Sequence, residues 1–551
     1  MNKIYSLCSI ILLMACTQTT VLEKDMFISP DKTHYPQTWF HFIGSNVSLE
    51  GITADLEAIA QAGISGVQFF HGYQGDEKWP EVEEGIAPLS ENWDDAVKHI
   101  AQECKRLGLE FTIQNCPGWA MAGGPWVKPE NAMRILVNSR TDVSGKDVDI
   151  VLPQPQPSDE EWRDYREVAV LAFPTPEGDT GEPLKVRNIS GPKGYSWETV
   201  FADKEGYVED LPFSDKPYVI TMDFVEPSTV RSIELPSINS YSHDMCYEPS
   251  IDIRAYVYTA DGKEHKIADF AMPKANWQDD DPLTIACPEV KDAVSFRFEF
   301  RNYRKNVDLE QIRLYSAARK NSWESEAGLT LRSFERSGDD IIQSTDAYIA
   351  KDAVIDISEH MNADGRLQWS APDDRTWTIL RIGHVNKGMR NSPAPPEGTG
   401  WECDKLSVRG AEAHFPGYVG RLADGALQGG LIDGMLLDSW ECKTQMWTQE
   451  MEMEFAQRCG YELREWLPAL FGYVMDEPQT TARFLLDWRG TIGNLVTEKF
   501  YRRMAELGHE KGLKVVYETA AGDIVPADIL EYFKYADIPM CEFWQPFNEK
   551  G

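Results

Sequence analysis

Strand-like and helix-like segments alternate strictly through much of this chain, and that alternation limits its fold more than any other feature. Residues 39–43, 64–70 and 109–114 are short apolar runs that read as strands. Between them, 52–62 carries Ile52, Leu56 and Ile59 at helical spacing and stops at Gly63, while 93–107 places Val97, Ile100 and Cys104 on one helix face. The pattern returns later, with strands at 434–437, 514–517 and 538–541 and helices at 450–459 and 484–509. Consecutive parallel strands need a crossover, and intervening helices supply it while covering the sheet. The expected fold class is therefore α/β, a (β/α)8 TIM-like barrel.

From about Asp142 the texture changes. Residues 218–224, 232–235, 251–258, 294–300 and 312–316 are β-rich and separated by polar, Pro- and Gly-containing turns, without helices between them. Such spacing predicts an inserted all-β sandwich, and insertion into a barrel loop is cheap because loop-closure entropy rises slowly with length. With 551 residues, two or three domains are expected. The boundaries predicted are 30–142 for the first part of the barrel, 143–345 for the β insertion, and 346–551 for the continuing barrel. The α/β pattern resumes near 377–383, and the last strand or strands are expected to be missing.

Residues 1–16 read as a lipoprotein signal rather than fold. Lys3 supplies positive charge, 10–14 a short apolar region, and Leu13-Met14-Ala15-Cys16 small residues before a cysteine. The apolar run is too short to span a bilayer as a helix. Acylated at Cys16, the chain would be an exported lipoprotein, periplasmic or at the cell surface, touching membrane only through that lipid. The formal net charge of −35, from 89 acidic against 54 basic residues, argues against nucleic acid as a partner. Of the ten cysteines, leaving out Cys8 and Cys16, eight are scattered without a CxxC pair, so no zinc pattern is present.

Several strands end in a polar residue: His71, Asn115, His384, Asp438 with Glu441, Glu518 and Glu542. In a (β/α)8 barrel such ends converge on the face that carries active sites. The stretch 431–448, LIDGMLLDSWECKTQMWT, is the most pointed of these, since its apolar run breaks into Asp438, Ser439, Trp440 and Glu441. A carboxylic acid of raised pKa can protonate a glycosidic oxygen while an aromatic face packs on a sugar ring. Solvated acids at a strand end are the plainer reading of the same residues.

Several blocks together resemble glycoside hydrolase family 106, the α-L-rhamnosidases: Asn46-Val47-Ser48 with Gly51-Ile52-Thr53-Ala54-Asp55-Leu56, Gln114-Asn115-Cys116-Pro117-Gly118-Trp119 with Gly123-Gly124-Pro125-Trp126-Val127, Trp401-Glu402-Cys403-Asp404-Lys405, Asp438-Ser439-Trp440-Glu441, and Met540-Cys541-Glu542-Phe543-Trp544. His41 departs from the tryptophan expected there. The resemblance implies an inverting, exo-acting hydrolase that removes terminal α-L-rhamnose from a rhamnose-containing oligo- or polysaccharide with the help of calcium. It makes Glu441 the general acid, and Glu518 and Glu542 carboxylates of which one helps hold calcium and substrate hydroxyls. It also implies a further strand bearing another glutamate, so the general base is either Glu542 or a residue after Gly551. His71, Asn115, Asp438, Trp440 and Glu518 are candidate substrate contacts, with Asp404 a weaker one. Trp119, Trp126, Trp401, Trp447 and Trp544 divide between stacking platforms and core. Two other readings stand beside this one: a retaining glycosidase of another sugar on a similar barrel, and a non-catalytic glycan-binding lipoprotein.

Overall fold

The structure, a computed structural model, describes residues 27–542 apart from 76–78, 80–84, 120, 156–163, 202–205, 238–250, 276–277, 303–305, 334–336 and 521–524. The candidate signal with Cys16, and Trp544, lie outside the described residues.

Six strands, β1 (Gln37–Ile43), β2 (Gly66–Gly72), β3 (Glu110–Gln114), β4 (Gly434–Leu437), β5 (Lys514–Thr519) and β6 (Ile538–Cys541), form one parallel sheet in chain order. Phe69 of β2 lies opposite Phe40 of β1 and Ile113 of β3, and Met435 of β4 lies opposite Ile113 and Val515. Every residue of β2 and β4 is buried, as expected of parallel strands covered on both faces. The helix α1 (Leu49–Gln61) starts where the Ser48 hydroxyl accepts the Gly51 N–H. The helix α2 (Glu91–Leu107) starts at Ser90, whose hydroxyl accepts the Trp93 N–H, and ends at Gly108 with a left-handed φ of 69°. The predicted helix 484–509 is observed as Pro478–Leu495 and Arg502–Glu510 joined through a π-helical turn, Val496–Tyr501.

Side chains alternate across the sheet. Phe40, Phe69, Ile113, Met435 and Tyr517 join the main core with α2's Trp93. Phe70, Leu436 and Val516 form a separate cluster on the other face, with Met540 and Trp119 against it. On that face Gln68 of β2 donates to the Met540 sulfur of β6 at 3.4 Å. Strands four positions apart in a flat sheet would be about 19 Å from each other, so the sheet curls and this second face is its inside.

Two antiparallel units hold most of the remaining strands among the described residues. In the first, Arg134–Ser144, Thr376–Asn386, Arg166–Pro174 and Ile355–Asp356 form a four-stranded sheet. Leu171 and Leu380 face the main core, while Val170 and Ile379 face a smaller core with Trp369 and Leu367. The run 377–383 thus belongs to an antiparallel strand, not to a resumed α/β pattern. Burial on both faces makes it apolar-rich without a period-2 pattern, like a parallel strand, and sequence alone cannot separate the two. In the second unit, Glu264–Ala271, Ile251–Thr259, Leu283–Asn302, Tyr218–Leu235 and Arg313–Tyr315 pair in that order. Its core includes Ile220, Ile253 and Phe298, with Leu211 and Leu309 from the small pair Val208–Leu211 and Val307–Leu309.

Candidate active site

Strands β4, β5 and β6 deliver acids to one end of the sheet. Asp438 follows Leu437, which lies opposite Tyr517; Glu518 comes next on β5 and lies opposite Met540; Glu542 follows Cys541. Asp438, Glu518 and Glu542 stand two residues beyond Leu436, Val516 and Met540, so they share the inside face.

The environment raises the pKa of Asp438, Glu518 and Glu441. Asp438 is 3% exposed, accepts the Gln114 amide N–H at 3.0 Å and the Ser439 N–H at 2.8 Å, and has its pKa pushed well above the carboxylate range. Burial is the largest cause and the Glu518 charge the next. Glu518 is raised to about 7, first by burial and then by Glu542, against a hydrogen bond with Asp438 that lowers it. Asp438 and Glu518 thus each hold a proton to higher pH than a free carboxyl, as carboxylates crowded in low dielectric do. Glu441 is raised chiefly by burial; the Ser439 hydroxyl, donating to its Oε1 at 3.0 Å, opposes the shift and the Glu542 charge adds to it. A carboxyl whose pKa is raised by burial suits proton donation to a leaving group.

The other candidates fall elsewhere. His71 is fully buried, stacks on Trp93 at 5.3 Å and is held neutral by burial, its pKa lowered to about 4. Asn115 donates to the Met121 carbonyl at 2.6 Å, and its Oδ1 meets His414 Nε2 at 2.7 Å. Both brace the helix side of the sheet and are not brought to the acids. Trp440 is fully buried in the main core, its indole N–H donating to the Lys443 carbonyl at 2.6 Å, so its ring is not offered to a sugar. Asp404 accepts from Gln445 and Thr448 at 2.6 Å each and ties two loops together. His384 lies on the antiparallel strand and accepts from Arg134 Nε.

Sequence reading named Trp119 as a stacking candidate but missed Gln114, which grips Asp438, and the inside-facing Trp39 and His41. Trp39, 42% exposed, lies 4.9 Å from Phe70, while His41 stacks on Phe70 at 5.2 Å and meets Trp119 edge-on. The signal was available: strand parity counted from Phe70 and Leu436 selects Gln114 over Asn115. Asn115→Ala is accordingly expected to lower stability by about 2 kcal/mol, because the Met121 carbonyl and His414 lose a buried partner. Its KM should stay near wild type; thermal unfolding beside Michaelis kinetics checks this, and a KM effect without destabilisation would refute it.

Acids gathered at the C-terminal ends of neighbouring parallel strands, one with its pKa raised by burial, fit the acid/base chemistry of a glycoside hydrolase. The chain belongs to glycoside hydrolase family 106, the alpha-L-rhamnosidases, whose family model matches residues 28–551. Over 530 residues, 96% of the chain, it is 28% identical to a putative beta-glucuronidase of Formosa agariphila, of which it spans 33%. Its fold matches a rhamnosidase structure from Novosphingobium sp. PP1Y with a TM-score of 0.76 and 27% identity, over 96% of this chain and 50% of that one.

Proposed function

We propose that this chain carries the acid/base centre of an inverting, exo-acting α-L-rhamnosidase built on a (β/α)8 barrel, with a β-sandwich inserted in it. The observation that carries the reading is the cluster of Asp438, Glu441, Glu518 and Glu542, in which burial raises the Glu441 pKa. Glu441 protonates the glycosidic oxygen as the C–O bond breaks. A second carboxylate, Glu542 or one following Gly551, takes a proton from the water that attacks the anomeric carbon from the opposite face. The curled sheet and the consecutive strand order support the barrel.

Calcium fits the donor chemistry, since Glu518 Oε2 and Gln114 Oε1 are buried oxygens without a hydrogen-bond partner, and hard oxygens suit that ion. Among the described residues no three His, Cys, Asp or Glu side chains form a metal-holding cluster, so Glu518 and Glu542 would supply only part of its shell. Bound there, the ion would neutralise crowded charge and grip sugar hydroxyls. The likeness to the Formosa protein raises a uronic acid as a second substrate class, but a uronate would bring a further negative charge to four acids, which favours a neutral sugar. Acylation at Cys16 would hold the exported protein at a membrane, and among the described residues no helix is long and apolar enough to cross one.

Proton NMR of the complete natural protein acting on an aryl α-L-rhamnoside tests this reading. β-L-Rhamnose is expected first, and its release should stop in EDTA and resume with calcium. Initial α-L-rhamnose would make the enzyme retaining, activity undiminished in EDTA would remove calcium, and no turnover would leave a glycan-binding protein.

A further inference from the structure

The loop bearing Glu441 is held from outside the parallel sheet. Two residues beyond the acid, Lys443 has a left-handed backbone with φ of 60°, which a residue with a side chain keeps only when its surroundings enforce it. One restraint is internal, the Trp440 indole N–H on the Lys443 carbonyl. The others come from the antiparallel unit that contains Leu283–Asn302. Just before that strand, Gln278 presents its side-chain oxygen to the Lys443 N–H, and Asp280 pairs with the Lys443 ammonium. Gln278 is 5% exposed, so this restraint acts away from solvent. One residue on, the Thr444 hydroxyl donates to the Leu329 carbonyl at 2.6 Å and accepts from Lys387 at 2.9 Å.

We propose that Gln278, assisted by Asp280, is a positioning residue for the general acid, so that the inserted β unit sets the reach of Glu441; this rests on Glu441 being that acid. The acid's backbone is fixed at one end by the strand exit at Asp438 and Ser439 and at the other by Lys443. Without the Gln278 oxygen the second anchor is lost, and the carboxyl no longer meets the glycosidic oxygen in line. Proton delivery depends steeply on such alignment.

The test is Gln278→Leu in the complete natural protein, assayed on an alkyl rhamnoside, which needs the proton, and on 2,4-dinitrophenyl rhamnoside, which leaves without it. The expected result is a loss of about 10- to 100-fold in kcat/KM on the alkyl substrate, with the dinitrophenyl substrate little affected. Gln278→Glu, which keeps an acceptor oxygen there, should restore the balance. Equal losses on both substrates, or no loss, would overturn the proposal. Should Gln278→Leu fail to fold, Asp280→Ala at its exposed position must show the same leaving-group selectivity to a smaller degree, and its absence is equally fatal. Glu441→Gln assayed alongside separates the two readings. If it shows no leaving-group selectivity, Glu441 is not the acid; if it does and Gln278→Leu does not, only the positioning inference fails.

Discussion

Glu441→Gln is expected to lower kcat/KM of the complete protein on an unactivated rhamnoside by about 10²- to 10⁴-fold, the range that a positioned general acid contributes. Glutamine keeps the shape and still accepts from the Ser439 hydroxyl, but has no acidic proton to give. KM should change little, because the loss lies in the transition state, where charge builds on the leaving oxygen. The pH profile carries a second signature. Burial raises Glu441 first and the Glu542 charge raises it further, so the group stays protonated, and active as an acid, to higher pH than a free glutamate. Activity in the wild type falls as pH rises through that raised pKa; in the variant this alkaline limb disappears. A glycan-binding protein without turnover would show neither effect, and an unchanged alkaline limb would assign the proton to another group.

The parallel strands are legible because each is a short apolar run closed by a turn or a polar residue, and α2 because Val97, Ile100 and Cys104 fall on one helix face, all three buried. Thr376–Asn386 was misplaced because burial on both faces erases the period-2 pattern that marks an antiparallel strand. At the site, the acids stand directly after apolar runs, and so do His71 and Asn115, which serve the helix side instead. Position after a strand fixes only which end of the sheet a residue reaches; parity fixes which face. Trp440 illustrates a different limit. An indole beside an acid reads as a sugar platform, but the hydrogen bond to the Lys443 carbonyl and the packing in the main core decide otherwise, and both depend on residues distant in sequence.

The same crowding that equips the site also loads the fold, and Glu518→Gln should expose this. The folded protein holds a proton on Glu518 up to about pH 7, whereas an unhindered glutamate releases it near 4.5. Between these values the native state binds a proton that the unfolded chain has lost. Stability is therefore full below about pH 4.5 and falls as pH rises to about 7, by on the order of 3 kcal/mol at most. Glutamine removes that dependence, since it is uncharged throughout and relieves Asp438 of the like charge that raises it most. In calcium-free buffer at pH 7.5 the variant is expected to melt several degrees above wild type, with the gap closing near pH 4.5, while rhamnoside hydrolysis is lost. Added calcium should raise the wild-type Tm and leave the variant nearly unmoved, because the ion relieves in one chain the repulsion that the substitution has removed in the other. Calorimetry across pH, with and without calcium, reads all of these at once. Parallel pH slopes for the two proteins would mean that Glu518 does not carry the strained charge, and that its place beside Asp438 is a matter of packing alone.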